Sequence, residues 1–401
     1  MNVLFLTIGR FESIEAHSIY PDLLREFRNQ GHDVYVVCAN ERRTKRETEL
    51  IEENTSKVLR VKIGNVTKTS FIEKGLSTLF IDFLYKRAIN SFFRDVKFDL
   101  ILYSTPPITL VNTIKSIKKK SNAKTYLLLK DIFPQNAVDL GILRKTGLKS
   151  ILYFYFRHKE KQLYMVSDYI GCMSQANVDY VLEHNKEISE ETVEICPNSI
   201  ELIEEMDPII DRNVIREKYS VPLEKTVFVY GGNLGKPQDI PFIIECLHNT
   251  SQISEAYFLI VGDGTDYVKL EEFVKKENPS NLKLLQRLPK EDFNSLVEAC
   301  DVGMIFLDKR FTIPNFPSRL LSYLQAKIPV FACTDSNSDV GQVIEEAGCG
   351  WWCESDDVDK FKNMIYQIMN TNREGMGDMG YQYLKDNYTV QKSYKIIMKH
   401  F

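Results

Sequence analysis

The chain lacks any apolar run of the roughly 18 residues that a bilayer-spanning helix needs, and no cationic lead precedes its first apolar segment, Val3–Ile8. That segment reads as a strand and not as a signal peptide, so a cytoplasmic location is expected. Charge of one sign is also missing. The net charge is −4 over 401 residues, which offers nucleic acid no general basic field. No C-x-x-C pair occurs; the eight cysteines are scattered, mostly in apolar runs such as Val34–Cys38 and Val330–Cys333. They read as buried free thiols of a reducing compartment, and Cys349 and Cys353 in CGWWC have neither the spacing nor the partners of a metal site. No glycine fingerprint follows the first strand, where Gly9 and Arg10 stand instead, and this disfavours a nicotinamide oxidoreductase.

What is present suits two folded domains: 44% hydrophobic, 26% charged and 11% aromatic residues in a chain two to three times the usual domain length. The charge is unevenly spread. Residues 1–200 carry 29 basic and 24 acidic side chains, residues 201–401 carry 22 and 31, and residues 57–165 carry 21 and 7. One face of the first half is therefore expected to meet something anionic. Phe71–Phe93 and Leu148–Met165 interleave aromatics and leucine with lysine and arginine, and Lys115–Lys124 adds five lysines. Such stretches suit an anionic membrane surface, although aromatics in a core with lysines at its rim would give the same pattern.

Short apolar runs alternate with helical stretches. Strands are expected at Val3–Ile8, Asp33–Cys38, Leu59–Ile63, Asp99–Tyr103, Lys124–Leu129, Asp168–Cys172 and Thr192–Cys196. After an acidic, proline-containing linker at Glu201–Asp211 the pattern restarts, with strands at Thr226–Tyr230, Tyr257–Val261, Leu282–Leu285, Asp301–Phe306 and Ile328–Ala332. Continuous apolar strands separated by helices mean parallel sheets covered on both faces. The expected fold class is thus α/β, with two doubly wound domains facing a central cleft and ligands beyond the carboxyl ends of the strands.

Three strand-end loops in the second half can seat an anion. In Tyr230–Gln238 (YGGNLGKPQ) the glycines let backbone approach a ligand, Asn233 and Gln238 add neutral donors, and Lys236 adds a cation. Val261–Gly264 (VGDG) ends the next strand in the same manner. In Pro314–Ala326 (PNFPSRLLSYLQA), Ser318 stands at a helix start, Leu320, Leu321 and Leu324 share a face, and Arg319 brings a guanidinium fork. Ordinary tight turns and a surface arginine are the plain alternatives. In the first half, Lys130 and Asp131 follow a strand, where Asp131 can accept a hydroxyl proton and Lys130 can hold a phosphate; a salt-bridged loop pair is the alternative. Tyr103–Pro107, with Ser104 and Thr105, forms a second such loop.

The series GGNLGKPQ, VGDG and PSRLLSYLQAKIPV, with SDYIGCMSQ and ICPNSIE before the linker, resembles the retaining nucleotide-sugar glycosyltransferases of family 4, which have two Rossmann-like domains (the GT-B fold). The loop LKDIFPQNAVDLGIL resembles a subgroup of bacterial surface-polysaccharide assembly that includes enzymes similar to N-acetyl-fucosamine transferases. The resemblance implies an acceptor-binding domain over 1–200, a nucleotide-sugar-binding domain over 201–378, and a terminal helix over 379–401 packing back on the first. It implies a UDP-linked donor held by Gly231, Gly232, Asn233, Lys236, Gln238, Gly262, Asp263, Gly264, Arg287, Ser318, Arg319, Leu320 and Ser322. It also implies acceptor-side positions at Gly9, Ser104, Thr105, Lys130 and Asp131, with Arg319 and Asp131 in catalytic roles.

The sequence departs from that family in five places. Asn233 and Gln238 stand where many members have arginine and lysine, which leaves Arg319 more of the phosphate charge. Pro314 and Ser322 stand where the family's paired glutamates lie, and no histidine occurs near Lys130. Because no D-x-D cluster lies near these loops, no metal and no cofactor is expected. The implied activity is transfer of a sugar with retention to a lipid-linked or saccharide acceptor, in capsule, O-antigen or exopolysaccharide synthesis, at the inner face of the cytoplasmic membrane. Loss of both glutamates keeps open a catalytically silent subunit, and the two-domain cleft keeps open a nucleotide-sugar epimerase.

Overall fold

The computed structural model describes residues 1–9, 11–66, 69, 71–147, 150–203 and 211–401. The expected linker therefore lies largely outside the described residues, as do the first two positions of the basic stretch that starts at Leu148. The chain divides into two compact units, Met1–Glu201 with Thr389–Phe401, and Leu202–Tyr388.

The first unit is built on strands β1 (Asn2–Leu6), β2 (Asp33–Glu41), β3 (Glu49–Glu53), β4 (Ser56–Ile63), β5 (Leu100–Ser104), β6 (Lys124–Leu129), β7 (Tyr169–Cys172) and β8 (Val193–Ile195). Their order is β3-β4-β2-β1-β5-β6-β7-β8. All neighbouring pairs are parallel except β3 with β4. Asn54 and Thr55 both have positive φ and close that pair as a two-residue hairpin. The sequence pattern did not give β3, because its glutamates break the apolar run; on an edge strand such charges discourage pairing with other chains. Helices Ile19–Asn29, Phe71–Phe92, Val111–Ser121, Ser150–Val166 and Gln175–His184 connect the strands. Val3, Phe5, Val34, Val36, Leu100, Leu102 and Leu128 form the sheet's buried core.

Helix Val390–Met398 completes this unit. Val390 and Ile397 are buried in the same core, each worth about 1.5–3 kcal/mol. Tyr394 meets Phe27 edge-on with ring centroids 4.9 Å apart, and its hydroxyl lies 2.8 Å from His32 Nε2. His400 stacks on Tyr169 at 3.7 Å and its Nε2 stands 2.8 Å from Glu194 Oε1. The expected single terminal helix over 379–401 is in fact two. Met376–Asn387 stays with the second unit, because Gly377 and Gly380 let it lie tightly on Lys327 and Leu324. The chain then breaks at Thr389, whose hydroxyl caps the last helix.

The second unit carries β9 (Thr226–Asn233), β10 (Ala256–Asp263), β11 (Leu282–Gln286), β12 (Val302–Phe306), β13 (Val330–Thr334) and β14 (Gly350–Glu354). The sheet is parallel in the order β11-β10-β9-β12-β13-β14. The strand order reverses between β9 and β12, so a crevice opens beyond the carboxyl ends of those strands. The CGWWC segment supplies β14, and Cys353 Sγ lies 3.5 Å from Cys333 Sγ; all eight cysteines are free and buried. Among the described residues no helix is long and apolar enough to cross a membrane.

Candidate active site

In the second unit, β9 continues through the glycine loop to Asn233. Two glycines there admit close neighbours. A Cβ on Gly231 would stand 2.0 Å from Phe293 Cζ, so the ring of helix Lys290–Glu298 lies against bare backbone. Gly232 has φ of +150°, and a Cβ on it would stand 2.6 Å from Arg319 Nη2. The guanidinium of Arg319 sits 5.3 Å from the centroid of Phe293, a cation–π contact. Arg319 opens helix Arg319–Gln325, which is locked from below by Tyr323. That buried phenol donates to Met304 O (3.0 Å) and Val229 O (3.2 Å); burial raises its pKa to about 12, so it remains a neutral donor.

These groups border a cavity of about 520 Å³ lined by Gly232, Asn233, Val261, Gly262, Asp263, Arg287, Leu288, Lys290, Phe293, Asn294, Arg319 and Ser322. Three cations line it against one carboxylate, a balance that favours an anion. Among the described residues Arg319 forms no ion pair.

The cavity gathers Gly232, Asn233, Gly262, Asp263, Arg287, Arg319 and Ser322 of the expected donor residues. The others lie elsewhere. Gly231 is covered by Phe293, and Gly264 packs on the Leu234 backbone. Lys236 is exposed on a short turn and Leu320 is fully buried. Gln238 closes the glycine loop: its Oε1 accepts from Asn233 Nδ2 at 2.8 Å and Gly235 N at 3.4 Å. One Asn233 amide donor is thereby used within the loop. Ser318 stands at the helix start as expected, in helical geometry and with no side-chain cap bond. The helix behind it has only seven residues, which keeps its dipole small. The sequence reading missed Lys290, Phe293 and Asn294. Their helix reads as an ordinary amphipathic surface helix, and only the Gly231–Phe293 fit reveals its role.

In the first unit, Gly9, Ser104, Thr105, Lys130 and Asp131 sit at or just beyond the carboxyl ends of β1, β5 and β6, neighbours in the sheet. Thr105 Oγ1 accepts from the backbone N–H of Lys130 (3.0 Å) and Asp131 (3.1 Å), sewing two of these exits together. Gly9 N and Ser104 Oγ both reach Thr7 Oγ1. Lys130 does not pair with Asp131. Its Nζ donates to Cys196 O at 3.0 Å, and burial lowers its pKa to about 8. Asn136 Nδ2 donates to both Asp131 carboxylate oxygens, at 2.7 and 2.8 Å; burial nonetheless raises the Asp131 pKa to about 6. Among the described residues, His17, Asp22 and Glu201 form a grouping of potential metal ligands, and the Arg25 guanidinium sits within it, 2.6 Å from Asp22 and 2.7 Å from Glu201.

Solved structures similar over nearly the whole chain include sucrose-phosphate synthase from Thermosynechococcus elongatus (15% identity, 99% of this chain and 97% of that one, TM-score 0.74). Anabaena Alr3699/HepE in complex with UDP is another (15% identity, 100% and 99%, TM-score 0.70). WaaG, a glycosyltransferase involved in lipopolysaccharide biosynthesis, is a third (14% identity, 98% and 99%, TM-score 0.67). Two Rossmann-like α/β units with parallel sheets place the chain among GT-B folds. Within that class, the family model "Glycosyl transferases group 1" matches residues 211–383, all of them in the second unit. Among curated relatives, Probable glycosyltransferase WbjE of Pseudomonas aeruginosa is 24% identical over 328 residues, 82% of this chain and 80% of that protein. A protein of Escherichia coli (strain K12) named as a colanic acid biosynthesis glycosyl transferase, WcaI, is 22% identical over 64% of each chain.

Proposed function

We infer that the protein moves a hexosyl or N-acetylhexosaminyl group from a UDP-linked donor to a lipid-linked or saccharide acceptor, with retention and without a metal. The setting is assembly of a bacterial surface polysaccharide (capsule, O-antigen or exopolysaccharide), at the inner face of the cytoplasmic membrane. The observation that carries this reading is the cation-lined cavity in which the Arg319 guanidinium lies against Gly232. Solved relatives named in complex with UDP and UDP-glucose support the choice of donor, and relatives named for colanic acid and lipopolysaccharide support the setting. The N-acetyl-fucosamine subgroup is the finer assignment, resting on the LKDIFPQNAVDLGIL loop.

The chemistry follows from the charge that develops. As the bond from the sugar carbon to phosphate oxygen breaks, the sugar becomes oxocarbenium-like and the departing diphosphate gains negative charge. Arg319 stabilises that charge with its fork of donors, and Arg287 and Lys290, which line the same cavity, add to it. The acceptor oxygen attacks from the face the diphosphate leaves, a new carbon–oxygen bond forms, and the acceptor proton passes to the departing phosphate oxygen. Asp131, on the acceptor side, orients the attacking hydroxyl. Ser322 lines the cavity where the family's second glutamate falls, so the ribose meets a hydroxyl in place of a carboxylate.

The absence of both family glutamates favours one rival, a silent subunit that binds donor and regulates a partner transferase. A thermal-shift screen of uridine, guanosine and adenosine diphosphates tests the donor assignment, because a ligand of the folded state raises its melting temperature. Stabilisation by the uridine compound is expected, and stabilisation by none of the three overturns the reading. Purified protein that binds donor yet transfers no sugar to any lipid or saccharide acceptor establishes the silent subunit.

A further inference from the structure

Helix Phe71–Phe92 leaves an apolar stripe uncovered. Leu76, Leu79, Phe80 and Phe83 follow the i, i+3, i+4, i+7 spacing of one face and are between 48% and 61% exposed. One turn later the stripe becomes basic, at exposed Lys86 and Arg87. Helix Ser150–Val166 repeats the pattern: Ile151, Leu152, Phe154 and Tyr155 are exposed, Ile151 at 69%. Lys159 lies 5.9 Å from the Tyr155 ring centroid.

The two helices share a neighbour. Both pack against Val111–Ser121, where Asp82 of the first accepts from Asn112 Nδ2 and Thr113 N, each at 2.8 Å. Tyr155 of the second lies near enough to feel the Asp82 carboxylate, which adds to burial in raising its phenol pKa. The middle helix presents exposed Lys115 and Lys119 on its outer side. Along residues 75–90 and 150–166 the acidic side chains are Asp82 and Glu160, and both are buried. Among the described residues, the outward side of the two helices therefore offers large apolar groups and the positive charge of Lys86, Arg87 and Lys159, with Lys161 paired to Glu187 at 2.9 Å.

We propose that these two helices dock the first unit on an anionic bilayer, with their aromatic and aliphatic side chains among the headgroups and the lysines and arginines on the lipid phosphates. A second copy of the chain fits this face poorly, since a two-fold contact would set one basic face against an identical basic face. The acceptor-side loop is attached to the same surface. Phe133, two residues beyond Asp131, packs edge-on against Phe156 of the second helix at 5.0 Å. A lipid-linked acceptor diffusing in the membrane plane thus arrives beside the loop that carries Lys130 and Asp131, an orientation that rests on the function proposed above.

Co-sedimentation of the full chain with vesicles of phosphatidylcholine alone, and of phosphatidylcholine with phosphatidylglycerol, tests this surface without donor or acceptor present. Wild type pellets with the anionic vesicles, and Phe80→Ser/Phe83→Ser weakens binding at least about tenfold while the melting temperature holds. Lys86→Glu/Arg87→Glu weakens it too and flattens its salt dependence. Equal recovery with both vesicle types, or unchanged binding by both double variants, overturns the proposal. A dimer in solution that Phe80→Ser/Phe83→Ser dissolves also overturns it, in favour of a second copy. Vesicle binding with no response to uridine diphosphate separates failure of the donor assignment from failure of this one.

Discussion

Replacing Arg319 with alanine removes the guanidinium that lies against Gly232. Two unit charges about 4 Å apart attract by about 4 kcal/mol at an effective dielectric of roughly 20. Arg319 is only half-buried, so solvent screening brings the usable share to about 2–3 kcal/mol. Each 1.36 kcal/mol is a decade in rate, which sets the expected fall in kcat/KM at about 100-fold. Arg319→Lys keeps the charge but loses both the fork and the guanidinium contact with Phe293, and is expected to lose about tenfold. The assay is transfer from the nucleotide sugar selected by the thermal-shift screen, with melting temperature as control. No ion pair to Arg319 is present among the described residues, so folding should hold. An Arg319→Ala rate within about tenfold of wild type leaves less than ~1.4 kcal/mol for this guanidinium and refutes the leaving-group role.

Gly232→Ala places a Cβ 2.6 Å from Arg319 Nη2 at a φ of +150°, so activity should approach that of Arg319→Ala and stability fall by about 1–3 kcal/mol; wild-type activity and melting would contradict the geometry. Lys130 has a pKa of about 8 in the folded chain against an ordinary 10.5, so unfolding takes up a proton between those values and Lys130 makes stability climb with pH across that window. Below the window both states are protonated and the cost of burying the charge is complete. Urea melts should show wild type gaining on Lys130→Met as pH rises through the window, and a pH-independent difference would rule this out. Asp131 ionises near pH 6, so transfer should decline as pH falls through that value. Asp131→Asn should be slow at every pH and lack that limb, whereas an unaltered profile would remove Asp131 from the acceptor side.

The sequence made the strand positions legible because β9, β10, β12 and β13 are buried on both faces and read as unbroken apolar runs. The glycine loops were legible for a related reason: close approach of Phe293 and Arg319 to backbone leaves no room for a side chain. What stayed hidden depends on three-dimensional partners. Phe293 belongs to the cavity because of what it touches, and nothing in its helix's periodicity marks it. Ser318 has the right residue type for a cap, yet the backbone enters the helix already helical and leaves the hydroxyl unused. The plain alternative for Lys130 and Asp131, a salt-bridged pair, is not what forms, because Cys196 O and Asn136 each take one of them. The edge strands β3 and β14 were missed because glutamates and a tryptophan pair interrupt the alternation that a half-buried edge would show.

The return of Thr389–Phe401 to the first unit bears on how the chain is made. A ribosome releases Met1–Glu201 early, yet the surface formed by Phe27, His32 and Tyr169 stays bare until the whole of Leu202–Tyr388 has been synthesised. The amino-terminal sheet is thus an apprentice during translation, dependent on late-arriving residues for its finish, and truncation after Tyr388 should injure the unit encoded first.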